Sequence, residues 1–135
     1  WWFILKLNPD CIRDILIATE SECTFSETMH IRADDDIYGS RKVPEILEKY
    51  SDDELFYHLR QCDLSGLLYK TKWTIGGEAH IQDLTPYGHE FLSDIRLDTN
   101  WNHTKEVAQR VGSSSVKVLA DIASSVIATL VKAQI

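Results

Sequence analysis

Between residues 51 and 96 the spacing of apolar side chains changes from helical to strand-like and back with almost no slack. Leu55, Leu59 and Cys62 recur at helical spacing behind Ser51-Asp52-Asp53-Glu54. Those four residues form a capping box, in which the serine hydroxyl takes the orphan amide of residue 54 and the glutamate reaches back to the serine amide. Gly66 follows as a left-handed stop. Residues 67–75 are rich in strand formers, Gly76-Gly77 turns the chain, and residues 79–84 return as a second strand. Thr85-Pro86 then opens another helix, with proline already at the torsion that a first turn needs. A capped helix, a hairpin and a short helix in this order predict the back half of a winged helix.

The front half agrees. Asn8-Pro9-Asp10 reads as a helix start, with a capping amide, a proline at the first position and an acid in the first turn, and Ile12, Ile15 and Leu16 give that helix its buried face. After a polar break at 21–27, residues 28–32 predict a short strand that leads into the acidic turn Asp34-Asp35-Asp36. Residues 43–50 predict a short helix with Pro44 in its first turn and Ile46, Leu47 and Tyr50 as apolar contacts. It stands just before the capped helix, which puts residues 51–65 in the place of a recognition helix. The expected fold class is therefore α+β: a winged helix, that is a helix-turn-helix with a β-hairpin wing, over residues 6–99, followed by a helical extension over 100–135.

In that extension Asn100 is expected to cap a helix running to Val111, and Gly112-Ser113-Ser114 hands over to a second helix capped by serine. Val116, Leu119, Ala123, Val126 and Leu130 then repeat at alternating three and four residues, a stripe widened by Ala120 and Ile127. Such a seam seeks a partner surface, either its own domain or a second copy, and a homodimer through this helix is the expected assembly. A membrane-spanning reading is opposed by Lys117, Asp121 and Lys132 and by the polar Ser124, Ser125, Thr129 and Gln134.

Charge sharpens the picture. The 135 residues carry 21 acidic and 14 basic side chains, a formal net charge of −7, so no general attraction to nucleic acid or anionic lipid is expected. Between Glu20 and Glu54 there are eleven carboxylates against Arg32, Arg41, Lys42 and Lys49. Beyond Thr99 the balance reverses, with Lys105, Arg110, Lys117 and Lys132 against Glu106 and Asp121. Cys11, Cys23 and Cys62 are odd in number and share no metal-like spacing, which favours a reducing cytoplasm over a disulfide framework. The opening Trp1-Trp2-Phe3-Ile4-Leu5 is apolar but lacks the length and small-residue cleavage site of a signal peptide.

Several ordered blocks carry a family resemblance. Lys6-Leu7-Asn8-Pro9-Asp10-Cys11-Ile12-Arg13-Asp14-Ile15-Leu16, then Tyr50-Ser51, Glu54-Leu55 and Tyr57-His58-Leu59, then Asp83-Leu84-Thr85, Gly88-His89-Glu90-Phe91-Leu92 and Ile95-Arg96, resemble the domain of unknown function 2513 family of bacteria and their phages. Trp101, Gly112-Ser113 and Lys117-Val118-Leu119 fit it too, whereas Trp1 to Ile4 depart from it. The resemblance implies a small cytoplasmic protein, often from phage or prophage genes, and supplies no catalytic residues to carry over.

The residues themselves point away from enzymatic chemistry and from any cofactor. His58 and Cys62, one helical turn apart, are half of a zinc site without a second pair at suitable spacing, and read as a surface histidine beside a core cysteine. His89-Glu90 follows the wing with no nucleophile motif beside it, and Gly76-Gly77 lies in a hairpin where a phosphate loop needs a strand-to-helix turn. Two functional readings remain. The first is DNA binding or a transcription-related role, with Arg41 and Lys42 before the helix pair, Tyr57, Arg60 and Gln61 on the outer face of the second helix, and Lys70 and Lys72 on the wing as contacts. Asp52-Asp53-Glu54 opposes it, because three carboxylates would face the phosphates at the end usually driven into the groove. The alternative is a protein-interaction adaptor or phage–host regulatory protein that uses the acidic front, the C-terminal helix or Trp73, which alternation sets on the face opposite Lys70 and Lys72.

Overall fold

Asn8 starts the first helix as its sequence dictates: its side chain accepts the Asp10 amide at 3.1 Å and Pro9 occupies the first position. The computed structural model describes residues 6–135, and the apolar opening Trp1 to Leu5 lies outside the described residues. Helix α1 (Pro9–Glu22) leads to β1 (Met29–Arg32), a 3₁₀ turn (Glu45–Leu47), α2 (Asp52–Leu64), β2 (Leu68–Thr74), β3 (Glu78–Leu84), α3 (Pro86–Ile95), α4 (Asp98–Val111) and α5 (Val116–Gln134). The three strands form one antiparallel sheet in the order β1-β3-β2, so the last strand of the chain is the central one. The architecture is α+β, with five helices around a small sheet.

Register explains which sheet face is dry. Met29 lies opposite Ile81 and Ile31 opposite Ala79, and all four are buried on the face toward α1. The alternate positions His30, Arg32, Glu78 and His80 therefore share the other face. Helices α1 and α2 supply Ile12, Ile15, Leu16, Leu55 and Leu59 to the same core, and α3 adds Phe91, Leu92 and Ile95. Gly76 and Gly77 turn the hairpin with φ of 89° and 74°, a pair of left-handed residues that only glycine adopts cheaply.

The structure changes four local expectations. The helix predicted over 43–50 shrinks to the 3₁₀ turn Glu45–Leu47, and the Arg41 guanidinium donates to the carbonyls of Glu48 and Tyr50 just beyond it. The capping box is half made: Ser51 Oγ accepts the Glu54 amide at 3.2 Å, but Glu54 Oε1 accepts instead from Asn8 Nδ2 at 3.3 Å. Asn100 does not cap α4, which starts earlier at Asp98 behind Leu97, a residue with no capping side chain. Arg13 reaches from α1 across the α3–α4 junction, donating to the carbonyls that end α3, Ile95 O at 3.1 Å and Arg96 O at 2.7 Å, and to Asp98 Oδ1 at 2.9 Å. Finally, His58 is buried and not a surface residue, accepting the Asn8 amide at Nε2 (2.7 Å) while Nδ1 meets Glu54 O at 2.7 Å.

Helix α4 is tied to α1 by side-chain hydrogen bonds. Asp10 accepts from Trp101 Nε1 and Lys105 Nζ, both at 2.8 Å, with Trp101 itself buried. Partial burial pushes the Asp10 carboxyl upward, but the hydrogen bonds from Lys105 and Trp101 outweigh it and hold it below the ordinary value of 3.8. Ser115 caps α5 by accepting the Val118 amide at 3.2 Å. Of the five residues expected at a subunit interface, Val116, Leu119 and Ala123 are instead buried where α5 packs on α3 and α4. Val126 is half-buried and Leu130 exposed, so the stripe divides into an inner half that closes the core and an outer half that does not.

Candidate functional site

The acidic front is built around the β2–β3 turn. The loop 33–40 folds back on itself, with Asp35 and Gly39 exchanging backbone bonds of 2.9 and 3.1 Å and Asp35 Oδ1 accepting the amides of Ile37 and Tyr38. This small cap sits on the hairpin: the Ala33 amide donates to Gly77 O at 2.8 Å, and the Tyr38 ring lies so close to Gly76 that an added Cβ would meet it at 2.5 Å. The same loop reaches the start of α2, where the Asp34 amide donates to Asp52 Oδ2 at 3.2 Å. Asp34, Asp35, Asp36, Asp52 and Asp53 thus join the β2–β3 turn and the α2 N-terminus into one acidic surface.

The cations predicted to meet nucleic acid are scattered or engaged. Arg41 binds Asp52 Oδ1 at 2.7 Å in addition to the two carbonyls, which makes it an internal clamp. Lys42 is exposed, its backbone bridged to Arg32. Arg60 is exposed above the ring of Tyr57, 5.7 Å from its centroid, with Tyr57 and Gln61 half-buried on α2. Lys70 and Lys72 are exposed on β2, an edge strand, where lysines also block pairing with another sheet. Lys70 has a φ of 52°, and it interrupts the regular β2–β3 pairing between Tyr69 and Thr71. Trp73 stands on the face of Thr71 and Ile81, half covered by Phe56 with ring centroids 6.2 Å apart.

A second cluster escaped the sequence reading. His30 and His80 are directly opposite on β1 and β3, their rings stacked at 4.2 Å with an 11° interplanar angle. Glu78, two residues along β3, places Oε2 3.1 Å from His30 Nε2 and 3.6 Å from His80 Nε2. The hydrogen bond from His30 outweighs the small effect of burial and holds the Glu78 carboxyl below its ordinary value, with the charge of Arg32 helping. The signal was present as two alternating pairs, His30-x-Arg32 and Glu78-x-His80, each putting polar chemistry on one strand face. What was missing was the pairing of two strands 48 residues apart.

Burial pushes the Cys11 thiol up to about 12 and raises Cys62 and Cys23 as well, so none of the three is a ready nucleophile. His89 lies 3.4 Å from Asp83 Oδ1 on an exposed surface. A groove of about 450 Å³ runs between α4 and the outer half of α5, lined by His103, Val107, Ile122, Val126 and Leu130 among others. Among the described residues no helix is long and apolar enough to cross a membrane.

The sequence model of the family described as Hypothetical protein (DUF2513) matches residues 6–115, from just before α1 to the capping residue of α5. The chain belongs to the DUF2513 family. A Haemophilus influenzae protein described as uncharacterized is 26% identical over 129 residues, covering 94% of this chain and 96% of that one. No solved structure matches. Helices α1 to α4, the sheet and the His30–Glu78–His80 cluster all fall inside the stretch matched by DUF2513.

Proposed function

We propose that this DUF2513 protein is a winged-helix protein-interaction module whose acidic front receives a basic surface of a partner protein. The element order α1, β1, 3₁₀ turn, α2, β2, β3 with sheet order β1-β3-β2 supports the winged-helix reading, with α2 in the recognition position. The observation that carries the choice of partner is the acidic loop seated on the wing turn and tied to the start of α2. In a winged helix these are the parts that approach the duplex, and here both present carboxylates to a line of phosphates. On the family resemblance, the role is that of a regulatory adaptor of phage–host type.

Electrophoretic mobility shift with random and genomic-upstream duplexes over a salt series tests this choice. The expected result is no shift at physiological salt. Tight binding that disappears in the Lys70→Glu, Lys72→Glu double variant would restore the DNA reading and make β2 a phosphate clamp.

The outer half of α5 favours a second, compatible reading, self-association. Leu130 and Val131 are exposed beyond the region that α3 and α4 cover, and they continue the groove of Val126 and Ile122. Light scattering on the intact chain is expected to give twice the chain mass, and a Val126→Asp, Leu130→Asp variant a single chain mass. A monomeric parent would remove this reading.

A further inference from the structure

We propose that His30, Glu78 and His80 form a binding site for one divalent transition-metal ion, zinc in particular, on the half-buried face of the sheet that turns away from α1. Three features of the cluster point there. Its donor set, two imidazoles and one carboxylate, is the borderline mixture that zinc accepts, and it leaves a fourth position for water. Its ligand atoms, one from each residue, lie within 4.8 Å of one another. A tetrahedral ion at ordinary zinc bond lengths needs ligand separations of about 3.3 Å. The observed 3.1 and 3.6 Å from Glu78 to the two histidines already bracket that distance. The rings are stacked, so an ion is bound as they turn out of parallel until both Nε2 lone pairs aim at it.

The backbone is suited to holding these groups in place. Directly opposite residues on adjacent antiparallel strands, with the third donor two positions along the central strand, are fixed by the sheet's hydrogen bonds and not by a loop. The surroundings set the competition. Arg32 Nη1 is 3.7 Å from Glu78 Oε1, and Lys72 lies opposite His80 on β2. Both oppose a cation, but Arg32 approaches the carboxylate oxygen that the histidines do not use, which leaves Oε2 for the ion. Acid releases the ion, because a protonated imidazole has no lone pair to give.

Titration calorimetry of the full chain, stripped with chelator, with zinc chloride is the test. One zinc per chain is expected. His80→Gln and His30→Gln each weaken binding by at least about tenfold, since loss of a ligand costs no less than loss of its supporting partner. His89→Gln and His103→Gln leave the titration unchanged. Absence of binding heat, or full binding in the His30→Gln, His80→Gln double variant, overturns the proposal. Cobalt(II) absorption on the unaltered chain decides independently of how the variants fold: ligand-field bands of a nitrogen–oxygen site support it, and a thiolate charge-transfer band, which would assign the ion to cysteine, overturns it.

Discussion

Alanine at position 88 is expected to lower the melting temperature by roughly 10 °C or more, a loss of about 3 kcal/mol. Gly88 has ordinary helical torsions, so the reason is not backbone freedom but proximity. A Cβ there would lie 2.2 Å from the carbonyl oxygen of Leu67 and 3.3 Å from Leu84 Cβ. That carbonyl is not free to move, since it accepts the Thr85 amide at 3.0 Å, while Thr85 Oγ1 donates to Gly66 O and accepts the Gly88 amide at 3.0 Å. The first turn of α3 is thereby bolted to the end of α2, and a methyl group must part them. Circular dichroism melts of Gly88→Ala and of the exposed Ser93→Ala on the same helix check this. Equal melting of the two would show that the junction yields without cost.

The second large effect is expected at Leu59. It is fully buried on the face of α2, a helix that packs on α1 and β2. Leu59→Ala should cost about 2 to 5 kcal/mol, the transfer of the lost methyl groups plus a cavity. Denaturant unfolding followed by tryptophan fluorescence measures it. A midpoint matching the parent would place Leu59 outside the cooperative core.

The sequence was legible where local chemistry decides structure. Ser51, Thr85 and Ser115 each cap the helix that follows, and residues 67–84 form the hairpin around Gly76-Gly77. It misled where a distant side chain overrides a local signal. Asn8 drew both His58 and Glu54 into contacts about fifty residues distant in sequence, which turned a predicted surface histidine inward and left the capping box half made. Periodicity identifies a face but not what covers it, which is why Val116, Leu119 and Ala123 read as an interface and lie in the core. The acidic front was legible as composition, but its seat on the β2–β3 turn depended on the Ala33 to Gly77 bond, which no spacing announces. The cluster of His30, Glu78 and His80 needed a strand register, and register is a property of pairs.

The reach of α1 has a consequence for how the chain is made. Its polar side chains on Asp10 and Arg13 find their partners at Ile95, Arg96, Trp101 and Lys105, between 82 and 95 residues later. During synthesis α1 therefore emerges long before those partners, and it spends that interval with a guanidinium and a carboxylate facing water. Closing so long a loop is entropically slow, though each further residue adds little to its cost. The hairpin and α2, whose contacts are short-range, can organise meanwhile against the apolar side of α1. Completion waits for α4 to leave the ribosome, so a helix translated late acts as the latch on the first.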